Sequence, residues 1–198
     1  MSPLPDVRMT EAEYLAFDRA SEIKHEYYRG EIFAMSGGSP EHNLICMSTG
    51  AALYSQLRGR PCKSFSSDQR VRISQTRLYT YPDITVVCGD PRFATDAQDT
   101  LINPTLLIKV LSPSTESYDR GKKFQHYRQL DSLREYVLIA QDQPHIERYL
   151  RQDDDTWLLS EATGLESRIE LTSIGCVLAL AEVYEQVTFE AENEEKGE

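Results

Sequence analysis

Three charged side chains carry the chemistry that this sequence first suggests: Asp83, Lys109 and Lys123. Asp83 opens the run Tyr81-Pro82-Asp83-Ile84-Thr85-Val86-Val87, with Pro82 near a strand start, where a missing N–H is tolerated. Lys109 interrupts Leu106-Leu107-Ile108-Lys109-Val110-Leu111, which otherwise reads as an apolar central strand. Lys123 falls on the helix that Ser112-Pro113-Ser114-Thr115 should launch, on one face with Asp119 and Tyr127. Adjacent strands can bring Asp83 beside position 109, and the helix that follows can swing Lys123 over the same strand ends. Two carboxylates and a lysine in that arrangement would hold Mg²⁺ and orient a water for phosphodiester attack, the metal acidifying the water and neutralising phosphate charge. Position 109 is instead a cation. A lone ammonium within an apolar strand is costly unless it is paired, and Asp83 is the expected partner.

The elements around these residues follow from local signals. Thr10 with Glu13 three residues on is a capping box that opens a short helix to about Arg19. His25 to Met35 reads as two strands hinged at Arg29-Gly30, a hairpin. Ser39 as cap and Pro40 in the first turn start a helix to about Arg58 with a buried stripe of Ile45, Ala52, Leu53 and Leu57, and His42 in its first turn. Two short strands follow, near 62–67 and 68–74; in the second, Arg70, Arg72 and Ser74 alternate against Val71 and Ile73, predicting one wet face. The polar stretch 89–103 reads as a surface connection. The helix after Thr115 should run to about Leu130. Strands at 135–140 and 145–150 form a hairpin about Asp142-Gln143-Pro144, a further strand begins at Trp157, and a helix spans 180–187. This order of elements predicts an α+β, mixed α/β domain with helices flanking one sheet, covering residues 1–187.

Composition bounds the function. With 198 residues, 21 Lys+Arg against 32 Asp+Glu and 40% hydrophobic content, the chain should fold as one domain with a real core. No stretch approaches a bilayer span and residues 1–9 contain no apolar run, so neither membrane anchor nor signal peptide is expected, and the cytoplasm is the expected location. Four Cys (46, 62, 88 and 176) have no CxxC pair and no finger-type His spacing, which predicts buried free thiols rather than zinc or disulfides. The formal charge of −11 argues against a general nucleic-acid coat. Much of it sits in the acidic segment 188–198, expected to be disordered, and the residues just before it. Residues 58–77 reverse the sign: Arg58, Arg60, Lys63, Arg70, Arg72 and Arg77 face only Asp68. That patch reads either as a solvated strand face or as phosphate contact through Arg70 and Arg72.

Taken together, Glu26-Tyr27-Tyr28-Arg29-Gly30-Glu31, His42, Pro82-Asp83, Pro104-Thr105-Leu106, Val110-Leu111-Ser112-Pro113-Ser114-Thr115, Asp119, Lys123, Tyr127 and Glu135-Tyr136 resemble a known pattern. Residues 10–187 are similar to the putative restriction endonuclease family built on domain of unknown function 820, with its PD-(D/E)XK nuclease-like fold. The resemblance implies a restriction-endonuclease-like core sheet with additional C-terminal β-hairpins, a nucleic-acid substrate with DNA the first expectation, and a Mg²⁺-dependent endonuclease activity. It further implies that Asp83 is the metal-binding aspartate and Lys123 the lysine, displaced onto the helix. Glu26 and His42 match recurrent family positions; for His42, a helix-turn or core hydrogen-bonding role is favoured over catalysis. Restriction-type nucleases pair to reach both strands of a duplex, so a homodimer is expected by analogy.

One departure bears on the activity. The family places Glu where this chain has Lys109, a change of about two charge units in the local sum, which opposes Mg²⁺. Three expectations follow: an impaired endonuclease, an inactive nuclease-fold module that binds nucleic acid or a partner protein, or a rearranged site in which Glu26 supplies the missing carboxylate and Lys109 contacts phosphate.

Overall fold

The computed structural model describes residues 8–94 and 97–189, so most of the acidic segment expected to be disordered lies outside the described residues. Helix α1 (Glu11–Ala20) starts where Thr10 and Glu13 close the capping box, each side chain accepting from the other's backbone N–H. Strands β1 (His25–Tyr28) and β2 (Glu31–Ala34) form the expected hairpin. Arg29 and Gly30 take φ of 50° and 100°, as a two-residue turn matched to strand twist requires. Helix α2 (Pro40–Leu57) begins at Ser39, whose hydroxyl accepts from the His42 N–H, and buries Ile45, Leu53 and Leu57, with Ala52 half-buried.

The strands that follow are β3 (Cys62–Ser66), β4 (Arg70–Ile73), β5 (Leu78–Thr80), β6 (Ile84–Cys88), β7 (Thr100–Leu101) and β8 (Leu106–Val110). Next come α3 (Glu116–Tyr118), a π-helical turn (Asp119–Lys123) and α4 (Phe124–Tyr127), where the sequence suggested one continuous helix. Strands β9 (Glu135–Ile139), β10 (His145–Arg151), β11 (Trp157–Thr163), β12 (Arg168–Leu171) and β13 (Cys176–Ala179) precede the single-turn α5 (Leu180–Val183). Six strands form one sheet in the order β11-β10-β9-β8-β6-β3, antiparallel except for β8 and β9. Five more form a second sheet, β2-β1-β5-β4-β7, and β12-β13 is the separate C-terminal hairpin.

Strand β8 is buried along its whole length, as its apolar run requires. Leu106, Ile108 and Val110 point to the face covered by α2, β12-β13 and α5, while Leu107 faces the opposite core, shared with Val71, Ile73 and Leu78 of the second sheet and Phe124 and Tyr127 of α4. By the period of two, Lys109 stands on the Leu107 side, between the two sheets. Among the described residues no helix is long and apolar enough to cross a membrane.

The structure corrects several sequence expectations. The segment 75–83 is not only turn and strand start: it contains β5, which joins β1 to β4. The connection 89–103 contributes β7, which pairs with β4 in parallel. The face of β4 expected to be wet is so only in part: Ser74 is exposed and Arg72 half-buried, but Arg70 is 4% exposed. Its guanidinium reaches the Asp18 carboxylate of α1 at 2.6 Å and the Tyr81 hydroxyl at 2.9 Å, and Tyr81 also donates to Asp18. A buried guanidinium so paired pins α1 to the sheet. The expectation of four free thiols also fails. Cys62 and Cys88 stand opposite each other in the β3–β6 register and are joined as a disulfide, while Cys46 and Cys176 are free.

Candidate active site

Strand register brings Asp83 to Lys109. Ile84 of β6 pairs with Ile108 of antiparallel β8, so the residue before β6 falls opposite Lys109. Lys109 Nζ lies 2.8 Å from Asp83 Oδ2, and the Val110 N–H donates to that same oxygen at 2.7 Å. Each residue is only 6% exposed. Burial disfavours the Lys109 ammonium, but the Asp83 carboxylate beside it, together with Asp119 and Tyr127, outweighs that cost and holds the lysine pKa above its ordinary value.

A second charged group forms where the other sheet meets the π turn. Lys123 Nζ is 2.7 Å from Glu26 Oε1 and 3.3 Å from Asp119 Oδ1, and all three residues are buried. Glu26 arrives from β1. The pairing of Tyr27 with Tyr79 sets Glu26 opposite Thr80, whose hydroxyl donates to Glu26 Oε1 and lies 3.4 Å from the Tyr127 hydroxyl. Burial pushes Glu26 toward protonation, yet the Lys123 charge and the hydrogen bonds from Lys123 and Thr80 prevail and lower its pKa. For Lys123 the same balance raises the pKa: burial is outweighed by Glu26 and Asp119. Neither oxygen of Asp119 accepts a hydrogen bond, so Lys123 holds that carboxylate by charge alone.

His42, on the first turn of α2, completes the group. Its Nε2 is 3.6 Å from Asp83 Oδ1 and its Nδ1 is 3.6 Å from the Cys46 thiol. Burial lowers the His42 pKa despite the nearby Asp83 carboxylate, and burial lifts the Cys46 thiol to about 12. A cleft of about 460 Å³ is lined by His42, Asp83, Lys109, Asp119 and Lys123, and bordered by residues 37–39 on one side and 112–115 on the other. Ser112, Ser114 and Thr115 place three hydroxyls at that border.

Of the residues picked from sequence, Asp83, Lys109, Lys123, Glu26 and His42 therefore converge. Arg70 and Arg72 do not: Arg70 is committed to Asp18, Arg72 donates to Glu11 Oε2 at 2.7 Å, and neither lines the cleft. The site also contains Asp119, Thr80 and the Ser112–Thr115 hydroxyls, none of which the sequence by itself marks as functional. The four-residue step from Asp119 to Lys123 was visible, but burial turns an ordinary surface pair into part of the site.

Acid should weaken this site first. Both His42 and Glu26 have pKa values below their ordinary ones, so the unfolded chain binds more protons and stability falls as pH drops. The His42 contribution is complete above its ordinary value of 6.5 and is lost as pH falls through its lowered folded value; the Glu26 contribution is lost in the acid range below. Urea midpoints measured from pH 7.5 to 4 should decline, and His42→Asn should flatten the upper limb. An unchanged limb in that variant would remove His42 from the explanation.

A divalent cation is implied by this kind of site, and the donor set argues against Mg²⁺. One Asp83 oxygen already accepts from Lys109 and Val110, and the Lys109 ammonium puts positive charge where a divalent cation would approach. Mg²⁺ requires octahedral oxygen ligation, which these residues do not provide. His42, Cys46 and Asp83 bring nitrogen, sulfur and oxygen donors within 4.8 Å of one another, but burial keeps the Cys46 thiol protonated, the form that ligates poorly.

A mixed sheet flanked by helices, with carboxylates and lysines gathered in a cleft, is the restriction-endonuclease-like nuclease architecture. The chain belongs to the Uma2 family, described as putative restriction endonuclease, whose family model matches residues 11–181. An uncharacterized protein of Synechocystis sp. is 37% identical over 188 residues, covering 95% of this chain and 96% of its own length. A second uncharacterized Synechocystis protein is 35% identical over 164 residues, covering 83% of this chain and 93% of its own. The crystal structure of a putative nuclease belonging to DUF820 from Anabaena variabilis superposes with a TM-score of 0.68 at 19% identity, covering 83% of this chain and 91% of that one. The expected α+β class and the family resemblance are thus both borne out.

Proposed function

We propose that this protein engages nucleic-acid phosphodiesters, DNA in the first instance, at the Asp83–Lys109–Lys123 cleft, and that Mg²⁺-dependent endonuclease cleavage there is impaired by Lys109. The observation that carries this reading is the 2.8 Å contact between Lys109 Nζ and Asp83 Oδ2, which puts a fixed ammonium where the family has a second anionic ligand. Lys123 and the hydroxyls of residues 112–115 are the remaining groups suited to contact a phosphate oxygen. The active Mg²⁺-dependent endonuclease is the competing reading, favoured by family membership.

The deciding experiment incubates the full-length protein with plasmid and single-stranded DNA in Mg²⁺ or in EDTA, with binding measured in parallel at several stated salt concentrations. Salt-dependent binding with little cleavage in either condition is the expected result. Robust cleavage in Mg²⁺ that EDTA abolishes would establish the competing reading. A homodimer remains part of this proposal, on the ground that two strands call for two sites, and sedimentation in the presence of duplex tests it.

A further inference from the structure

Away from the cleft, the antiparallel β10–β11 ribbon sets Glu147 directly opposite Glu161 and His145 opposite Thr163. By strand alternation all four side chains share one face. Two carboxylates directly opposed across a ladder repel each other unless a positive group lies between them. Here they converge on one imidazole nitrogen: His145 Nε2 is 3.5 Å from Glu147 Oε1 and 3.5 Å from Glu161 Oε1, and neither contact is a hydrogen bond. The other ring nitrogen, Nδ1, is 2.9 Å from Thr163 Oγ1, a contact that fixes the ring plane.

These spacings fit a metal better than they fit a hydrogen-bonded triad. Donor atoms about 2.0–2.1 Å from one tetrahedral ion stand roughly 3.4 Å apart, close to both nitrogen–oxygen separations found here. A metal-bound histidine ordinarily has its second nitrogen held by a neighbouring group, as Thr163 holds this one. The rest of the surroundings are compatible with a cation. Arg120 of the π turn donates to Glu147 Oε1 and the Tyr149 hydroxyl to Oε2, so a bound ion would share Oε1 with that guanidinium, while Glu161 is 54% exposed and leaves an approach from solvent. We infer that His145, Glu147 and Glu161 form a binding site for Zn²⁺ or a similar borderline divalent ion, with water in the remaining position.

The test uses full-length, tag-free protein stripped of metal and titrated with Co²⁺ as the spectroscopic probe, followed by displacement with Zn²⁺. A visible absorption that saturates at one ion per chain, without a thiolate charge-transfer band, is expected. Glu161→Gln should weaken binding about tenfold or more, and Thr163→Val should do so within roughly the 10–100-fold range of an outer-shell loss. His145→Ala should abolish binding, while Cys46→Ser leaves the spectrum unchanged. Saturation that survives both His145→Ala and Glu161→Gln, or a thiolate band lost in Cys46→Ser, would move the ion to the His42–Cys46–Asp83 group and overturn the inference. Absence of any saturable binding would overturn it equally.

Discussion

Lys123→Met is expected to destabilise the protein by about 3–5 kcal/mol, the cost of leaving a buried partner charge uncompensated. Glu26 is 1% exposed and Asp119 is fully buried, and the lysine is the ammonium that both share. Glu26 would retain only the Thr80 hydroxyl as a hydrogen-bond donor, and Asp119, which accepts no hydrogen bond, would keep only the more distant Lys109 charge. Without Lys123, burial should make Glu26 take up a proton above the ordinary carboxylate range, so the variant's stability should recover as pH falls, opposite in sign to the wild type. The double variant Glu26→Gln, Lys123→Met should be more stable than Lys123→Met, because residues of one charged network do not contribute additively. Urea denaturation of the three variants at pH 7.5 and pH 5 checks this. A loss below about 1 kcal/mol for Lys123→Met would mean that water reaches the site and screens it as on a surface.

Lys109→Glu should reverse the response of the protein to Mg²⁺. In the wild type the 2.8 Å pair with Asp83 leaves no net anionic grip, and the thermal midpoint should be the same in Mg²⁺ and EDTA. The substitution changes the local sum by about two units and places two buried carboxylates side by side, which costs stability in EDTA. Added Mg²⁺ should restore it, by about 2.7 kcal/mol once the free ion reaches a hundredfold excess over its dissociation constant. Thermal midpoints over a Mg²⁺ titration provide the readout, with DNA cleavage as a second one. An equal Mg²⁺ response in wild type and variant would show that Lys109 does not occupy the cation's place, and the reading of the cleft would fall with it.

The two lysines thus play different parts within one cleft. Lys109 is held between Asp83 and the interior by strand pairing, whereas Lys123 is carried by a π turn, a rare geometry that recurs at functional sites. The turn places Asp119 and Lys123 together on the cleft wall, and the next residue after Asp119, Arg120, reaches the opposite way to Glu147 of the β10–β11 ribbon. Occupancy of the inferred metal site and the conformation of this turn therefore share a residue.

Much of this is legible in the sequence itself. The capping box at Thr10, the positive-φ hinge at Arg29-Gly30 and the Ser39-Pro40 start of α2 are local chemistry, satisfied by residues a few positions apart, and each formed where the sequence put it. The Asp83–Lys109 pair was also foreseeable, because an ammonium in an apolar strand must find an anion and few lie nearby in the chain. Other features were decided only by tertiary structure. Strand β5 has three residues, too few for a periodic signal, and exists because β1 and β4 pair with it from either side. Arg70 alternates like a surface residue, yet Asp18, 52 positions earlier, draws it inside. Cys62 and Cys88 meet through the β3–β6 register, and Glu26 finds Lys123 only when one sheet closes over the turn beside the other. Sequence fixes which groups need partners, because desolvation is a property of the residue; which partner answers depends on strand register and on how the sheets pack, and these are set by the whole chain.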